Sequence, residues 1–329
     1  PLLSPDWSAE SNQMQAEFGA SLCTAGDVNG DGYSDVLIGC YRYDNPLIDE
    51  GKAFLYHGSS AGLSATPNWT AKGNQADARY SQSLSTAGDV NGDGYSDVIV
   101  SAYLYDNTQT DEGCVFVYPG AVTGLSTTAN WVNFGSQASA YYGNSVATAG
   151  DINGDGYSDI IIGAYYYDNG ESDEGAAFVY NGSAVNLSLF PSWTAESNQS
   201  NAYFGTCVSS AGDINGDGYS DVIVGAYKYD NGQTDEGKVF AYYGNDGISK
   251  RSTMNQLKPF TSNVVYSGGL TGTAGGVRFN LFGRSPFGRT PGKIVYEYKE
   301  NGLPFSGAVI TNSTASSGSG TNTNLIGSG

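Results

Sequence analysis

Four nine-residue segments carry oxygen-bearing side chains at alternate positions around a glycine. Each reads Asp-x-Asn-x-Asp-Gly-Tyr-Ser-Asp, and they start at residues 27, 89, 151 and 213, a constant spacing of 62 residues. Side-chain oxygens at positions one, three, five and nine, with the backbone carbonyl of position seven, form an oxygen-only ligand set that Ca²⁺ prefers. The predicted metal ligands are Asp27, Asn29, Asp31, Tyr33 and Asp35; Asp89, Asn91, Asp93, Tyr95 and Asp97; Asp151, Asn153, Asp155, Tyr157 and Asp159; and Asp213, Asn215, Asp217, Tyr219 and Asp221.

Other interpretations of these acidic loops fit less well. Zinc prefers histidine or cysteine ligands. An EF-hand needs a bidentate glutamate at position twelve, where this chain has Ile38, Val100, Ile162 and Val224. A metal-free turn rich in Asp and Asn is the remaining alternative, but its carboxylates would repel one another. We therefore expect about four bound Ca²⁺ ions, one for each loop.

A second acidic turn recurs in every unit and ends in Asp-Glu-Gly, at residues 49–51, 111–113, 173–175 and 235–237. These turns lack the glycine-centred spacing of the first loops. Two interpretations stay open at this point. Either the turns are solvated and hold local hydrogen bonds, which we favour, or they form a second cation site.

The repeated unit is predicted to be a four-stranded sheet. A lead-in run precedes each acidic loop, and short β-branched runs follow it at residues 36–40, 98–102, 160–164 and 222–226. Third strands are predicted at 53–56, 115–118, 176–180 and 239–242, and fourth strands around Trp69, Trp131 and Trp193. Four strands repeated at this period are typical of β-propeller blades, with a stacked solenoid as the rival.

The N-terminal segment contains a fourth-strand sequence without a preceding unit. Trp7 lies 62 residues before Trp69, while the last unit has no tryptophan segment after it. The simplest closure pairs the strand around Trp7 with the last blade, which would protect two exposed sheet edges. The sequence thus predicts an all-β chain with a closed four-bladed propeller, or else part of a larger ring.

The N-terminal and C-terminal parts of the chain differ in charge. Residues 1–245 carry 6 Lys and Arg against 30 Asp and Glu, whereas 246–329 carry 8 against 3. We predict a propeller over 1–245, a basic strand-rich region over 246–311 resembling a partial β-sandwich, and a flexible tail over 312–329 rich in Ser, Thr, Gly and Asn. Strands are expected at 264–267, 277–282, 293–299 and 308–311. The acidic balance disfavours nucleic acid, and the absence of a long apolar run disfavours membrane insertion.

Cysteine and asparagine positions raise two questions about modification. Cys23 and Cys40 are centred near the middle of the first acidic loop, so a hairpin could join them in a disulfide. We favour two unbonded residues at strand positions. Asn-x-Ser/Thr sequons are candidate glycosylation sites. They occur at Asn68, Asn181, Asn186, Asn198 and Asn312.

The chain resembles the FG-GAP repeat family, best known from the propeller of integrin α subunits. The resemblance rests on Phe18-Gly19, Tyr142-Gly143 and Phe204-Gly205, on the four acidic loops and on the strand after each loop. Tyr80-Ser81 replaces the Phe-Gly pair in the second unit. The resemblance implies metal loops that lie between the first two strands of a blade and brace the propeller. It also implies an adhesive role outside the cell.

Three functions are compatible with the sequence. The first is an extracellular or cell-surface structural and adhesive protein, stabilised by calcium, that binds a protein partner or copies of itself through its C-terminal strands, as in a surface filament. The second is a carbohydrate-binding propeller whose tyrosine pairs at 41/43, 103/105, 165/167 and 227/229 stack on glycans. The third, a non-catalytic domain of a secreted enzyme, is less favoured. The single histidine, His57, has no repeated counterpart, so we predict no enzymatic activity.

Overall fold

The computed structural model describes residues 4–244, 253–257, 276–282 and 323–328. Within them the chain is all-β and contains no α-helix, as predicted, and no helix that could cross a membrane. Residues 21–242 form four consecutive antiparallel sheets in which each strand pairs with the next along the chain. These four sheets are the blades of a β-propeller, so the prediction of four blades is confirmed.

The strands of the first two blades are β1 (Ser21–Gly26), β2 (Asp35–Cys40), β3 (Lys52–Tyr56) and β4 (Trp69–Lys72), then β5 (Tyr80–Gly88), β6 (Asp97–Ala102), β7 (Cys114–Tyr118) and β8 (Trp131–Phe134). Those of the last two are β9 (Ser145–Gly150), β10 (Asp159–Ala164), β11 (Ala176–Tyr180) and β12 (Trp193–Glu196), then β13 (Phe204–Gly212), β14 (Asp221–Ala226) and β15 (Lys238–Tyr242). The acidic loops thus join the first two strands of each blade, which positions all four at equivalent places.

The hydrophobic core lies between the blades. The second strand of each blade is a run of β-branched residues buried on both faces, as in β10, where Ile160, Ile161 and Ile162 are inaccessible to solvent. One buried cluster joins the first and second blades, another the second and third, and a third the third and fourth. Each blade is therefore stabilised by its neighbours.

The predicted closure by the N-terminal strand is wrong. The fourth sheet contains only β13, β14 and β15, and the segment around Trp7 forms no strand. Trp7 instead packs on the first blade, with its ring against that of Tyr56. The first strands pack in series, β1 on β5, β5 on β9 and β9 on β13, but among the described residues no comparable packing joins β13 back to β1. The four blades therefore form an open arc.

The described C-terminal residues form one antiparallel sheet of β16 (Thr253–Leu257), β17 (Gly276–Phe282) and β18 (Thr323–Ser328). Strand β17 matches the strand predicted at 277–282. The polar sequences of β16 and β18 gave no strand signal, and β18 lies inside the segment expected to be a flexible tail. The strands predicted at 264–267, 293–299 and 308–311 lie outside the described residues.

Candidate functional site

The first acidic loop is folded around the carboxylate of Asp27. Its Oδ1 accepts hydrogen bonds from the backbone N–H groups of Gly30 (2.7 Å) and Asp31 (3.1 Å), and its Oδ2 accepts one from Gly32 (2.9 Å). Gly32 adopts a φ of 89°, which a residue with a Cβ rarely reaches. The sharp turn returns the chain toward β2 and brings the side chains of positions one, three and five into one loop.

Within this loop the side chains also bind one another. The Asn29 amide donates from Nδ2 to Oδ2 of Asp31 (3.0 Å), and Oδ1 of Asp31 accepts the N–H of Tyr33 (2.9 Å). The other three loops repeat the amide bond, with Asn91 donating to Asp93, Asn153 to Asp155 and Asn215 to Asp217. The structure thus brings together the predicted ligands at positions one, three and five.

The aspartate at position nine has a second role that the sequence pattern does not reveal. Asp35 is fully buried, with Oδ2 accepting the N–H of Val28 (3.0 Å) and Oδ1 accepting the N–H of Gly58 (2.9 Å). It therefore ties the acidic loop to the turn that follows β3. Asp97, Asp159 and Asp221 make the corresponding pairs of bonds in the other blades.

Burial makes the ionised form of these carboxylates costly. It raises the pKa of Asp97 to about 8, and the nearby charges of Asp89 and Asp93 raise it further. Burial also raises the pKa of Asp35, and that of Asp159 well above its ordinary value. The exposed Asp31 behaves oppositely, because the hydrogen bond from Tyr33 lowers its pKa. A bound cation would favour the ionised form of the buried carboxylates and so offset the cost of their burial.

The donor chemistry of the loops fits a hard cation. No three His, Cys, Asp or Glu side chains in residues 4–244 already stand in an arrangement that could hold a metal ion. A carboxylate nevertheless offers about four acceptor positions, and Asp31 and Asp35 each accept only two of the hydrogen bonds described here. The acceptor capacity left on these oxygens, together with their crowded charge, is compatible with Ca²⁺.

The second acidic turn is a hydrogen-bonding element between blades. Glu112 is fully buried, and its Oε1 accepts the N–H groups of Asn107, Thr108 and Gln109 at 3.0, 2.6 and 3.1 Å. Glu50 and Glu174 are buried in the same way. The expectation of local hydrogen bonds is confirmed, whereas the expectation of solvated turns is wrong for these three glutamates. Residues of the next blade pack over these glutamates. The repeat in the sequence does not show which residues pack there.

The tyrosine pairs proposed for glycan stacking divide into two groups. The second tyrosine of each pair packs against a phenylalanine of its own blade, as Tyr167 does on Phe178 with ring centroids 5.5 Å apart. The first tyrosines of the last three blades instead join a continuous row of rings at the protein surface, in which Tyr203 stacks on Tyr227. We call this the tyrosine row. Its members are Tyr103, Tyr141, Tyr165, Tyr166, Tyr203 and Tyr227.

Sequence reasoning missed three members of the tyrosine row. Tyr141 and Tyr203 precede the aromatic residue of the Phe-Gly position, and Tyr166 lies between the two tyrosines of its pair. The repeat of an aromatic residue before Phe-Gly in the third and fourth units was the available signal. Lys228 adds a cation over the ring of Tyr203, 5.1 Å from its centroid.

The proposed disulfide between Cys23 and Cys40 does not form, because all four cysteines are free. A register shift between Thr24 and Gly26 places Cys23 opposite Leu37, and Cys40 pairs with Lys52 on the other side of β2. The favoured interpretation, two unbonded residues at strand positions, is confirmed.

The sequon asparagines differ in accessibility. Asn68 and Asn198 are exposed, whereas Asn181 and Asn186 are half-buried, and Nδ2 of Asn186 donates to the carbonyl of Asn130 (2.8 Å). Asn312 lies outside the described residues. Glycosylation stays a prediction, with Asn68 and Asn198 the most accessible acceptors.

His57 stands beside the first acidic loop. Its Nδ1 lies 3.4 Å from Nδ2 of Asn29. The histidine is found in only one of the four repeats, because the other blades have Pro119, Asn181 and Tyr243 at this position.

Comparison with known proteins assigns the repeat. The FG-GAP repeat matches four times, at residues 18–53, 82–118, 142–180 and 204–242. Integrin alpha-V of Gallus gallus is 32% identical over 216 residues, which are 62% of this chain and 20% of the relative. Integrin alpha-5 of Xenopus laevis is 29% identical over 231 residues, 68% of this chain and 21% of the relative. Integrin alpha-IIb of Mus musculus is 36% identical over 147 residues, 42% of this chain and 14% of the relative.

This chain spans about a fifth of the length of the integrin subunits it matches. Each match to the repeat begins at or near the first strand of a blade and ends within or just after its third strand. The matched segments therefore cover the first three strands of each blade, in whole or in part, and enclose all four acidic loops. Residues 18–242 contain four FG-GAP repeats, and the chain belongs to the FG-GAP repeat family.

Proposed function

We propose that this chain is an extracellular adhesion protein whose propeller is stabilised by calcium and presents a surface to a protein partner. The observation that carries the proposal is the fourfold recurrence of one loop geometry between the first two strands of each blade. The relatives that share these repeats are integrin alpha subunits, which supports an adhesion-type role at the cell surface.

The residues that would hold the cation are the side chains of Asp27, Asn29, Asp31 and Asp35 with the carbonyl of Tyr33, and their counterparts in the other loops. A calcium ion supplies positive charge and accepts oxygen ligands. Asp27 organises the loop backbone, and Asp35 connects it to Gly58 and so to the end of β3. Loss of the cation from one loop would therefore weaken the connection among the first three strands of that blade.

Surface location is tested by antibody labelling of intact source cells that carry a tagged chain. The proposal expects labelling without permeabilisation and binding of the purified chain to other cells that falls when calcium is chelated. Labelling that appears only after permeabilisation contradicts an adhesive role. A filament built through β16–β18 would in addition appear as fibres in electron micrographs of the same cells.

Glycan binding is the second candidate, favoured by the tyrosine row. Tyr227 is half-exposed and stacks against Tyr203, with Nζ of Lys228 5.9 Å from its ring centroid, so its exposed ring surface could contact the apolar face of a sugar. A glycan array is the direct test, with Tyr227→Ala compared with Tyr243→Ala, which removes an equally exposed ring elsewhere. Binding lost only in Tyr227→Ala supports a lectin, and an array without signal for the parent chain rejects it.

A further inference from the structure

In the part of the chain that the structure describes, no strand covers the outer edge of the fourth blade. In the first three blades a fourth strand pairs with the third, but β15 has no such neighbour in the sheets described. Val239 on β15 is 70% exposed, whereas its counterparts Ala53, Val115 and Ala177 are fully buried. An unpaired edge strand with an exposed valine is a ready template for another strand.

The same chain carries an outer-strand sequence that pairs with no strand among the described residues. Trp7-Ser8-Ala9-Glu10 matches Trp193-Thr194-Ala195-Glu196, the sequence of β12. Trp7 is also placed as an outer-strand tryptophan should be. Its Nε1 donates to the carbonyl of Ser64 at 2.9 Å, as Nε1 of Trp131 donates to Ser188 at 2.9 Å.

Ring geometry gives the same result. The ring centroid of Trp7 lies 4.9 Å from that of Tyr56 at an interplanar angle of 74°, and Trp69 meets Tyr118 at 4.9 Å and 72°. The N-terminal segment therefore already sits on the first blade where the outer strand of a preceding blade would sit. The preceding blade is the part that the described residues do not provide.

The inner face of the first blade is likewise uncovered. Leu22 on β1 is 67% exposed, while its counterparts Leu84, Val146 and Val208 are 8%, 5% and 5% exposed. Leu84 contacts the position of Gly39 in the blade before it, and the position that corresponds to Gly39 in the fourth blade is Gly225. A Cβ on Gly225 would meet nothing closer than the carbonyl oxygen of Cys207 at 3.7 Å. The open face of the fourth blade thus has the space that Leu22 would fill.

We propose that a second copy of this chain docks its first blade on the fourth blade and adds its N-terminal segment to β15 as the missing outer strand. The exposed face of the fourth blade and that of the first blade are complementary, because the same kind of interface joins consecutive blades three times within one chain. Two copies joined at both ends would form one ring of eight blades, and propellers typically have about 4–8. In that ring neither β15 nor Leu22 stays exposed.

The internal repeats fix the register of the contact. Trp193 pairs with Val179, Ala195 with Ala177 and Glu196 with Ala176. Transferred to the new contact, these pairs become Trp7 with Ala241, Ala9 with Val239, and Glu10 with Lys238. The last pair places opposite charges directly across the two strands, an arrangement that favours this register.

Cysteine cross-linking of the full chain tests the contact. The variant Ala9→Cys with Val239→Cys is made in a Cys207→Ser background, since serine occupies the corresponding position at Ser21, Ser83 and Ser145. Oxidation is expected to give a covalent dimer on a non-reducing denaturing gel. The control pairs Ala9→Cys with Val185→Cys, an exposed loop position, and should stay monomeric. A cross-link within one chain, or no cross-link, overturns the proposal.

Charge reversal provides a test without oxidation. Glu10→Lys and Lys238→Glu should each raise the dimer dissociation constant several-fold in sedimentation velocity, and the double variant should recover most of the loss. Glu171→Lys, on an exposed turn of the third blade, is the control and should leave the constant unchanged. A parent chain that stays monomeric at high concentration overturns the proposal, as do single variants that associate like the parent.

Discussion

Trp69 in the first blade donates its indole Nε1–H to the backbone carbonyl of Ser126 in the second, with a nitrogen-to-oxygen distance of 2.8 Å. The same relationship joins Trp131 to Ser188. Each outer strand is thus held by the blade that follows it. Since the buried clusters also lie between blades, the free energy of unfolding depends on blade–blade contacts more than on any single sheet.

Replacing the indole hydrogen bond should weaken this connection measurably. Trp131→Phe keeps an aromatic ring but removes the donor to Ser188, and one buried hydrogen bond contributes about 0.5–1.5 kcal/mol. Urea unfolding should show a loss of at least that size, with a further loss from the smaller ring. Val132→Ala, at a partly exposed neighbour on the same strand, should change stability much less. Equal effects of the two variants would argue against the tryptophan as an anchor.

Buried glutamates should matter only where a following blade covers them. Glu112→Gln places an amide N–H group or a weaker acceptor against four backbone donors, Ser136 included, and should cost about 1–3 kcal/mol. Glu236 occupies the same position in the fourth blade but is exposed, so Glu236→Gln should be nearly neutral. Thermal unfolding of the two variants side by side measures the difference. At a dilution that keeps the chain monomeric, a Glu236→Gln variant as unstable as Glu112→Gln would contradict an uncovered fourth blade.

Glycine substitutions provide a second comparison of covered and open faces. A Cβ on Gly163 would overlap the carbonyl oxygen of Gly205 in the next blade, so Gly163→Ala should cost about 1–3 kcal/mol through overpacking. Gly225 holds the same repeat position and has space for a methyl group. Gly225→Ala should therefore unfold like the parent chain when measured at dilution. Similar losses in both variants would contradict an open fourth blade.

The strand pattern of this fold was readable from the sequence because the period aligns four copies of each element. The runs predicted at 160–164 and 176–180 agree with β10 and β11 within one residue. The pattern could not show which neighbour covers an edge, so the path of the segment around Trp7 was predicted wrongly. Burial of Glu112 was missed for the same reason, because the residues that cover it come from the next blade.

The candidate site was predictable in composition but not in its internal bonding. Alternate oxygen-bearing side chains identified the loops, and Oδ1 of Asp27 accepts the backbone N–H of Asp31. The buried bond from Gly58 to Asp35 depends on where the chain returns after β3, which spacing alone does not give. The register of the first hairpin, in which Cys23 lies opposite Leu37, likewise depends on the turn and on a bulge between Thr24 and Gly26, neither of which spacing alone gives.

Buried tyrosines should make the propeller sensitive to alkali. Tyr80 donates its hydroxyl to Tyr118 over 2.9 Å; burial raises the pKa of Tyr118 to about 12 and that of Tyr80 well above its ordinary value. A raised pKa in the folded state contributes stability that is complete below about pH 10 and is lost as the pH rises toward 12. Melting temperatures measured from neutral to strongly alkaline buffer should fall in this window.

The variant for that measurement is Tyr80→Phe combined with Tyr142→Phe, since phenylalanine stands at the same position in the fourth blade as Phe204. The double variant should show a shallower alkaline loss than the parent chain. If both chains lose stability with the same slope, other groups cause the alkaline unfolding.

Calcium titration of the chelated full chain tests the central claim most directly. Isothermal titration should detect about four sites for each chain, and millimolar CaCl₂ should raise the melting temperature. Asp93→Ala should lower the number of sites by one, whereas Asp6→Ala, outside the loops, should keep all of them. A parent chain that binds no calcium at millimolar concentration and melts at the same temperature with and without chelator would contradict a propeller stabilised by metal.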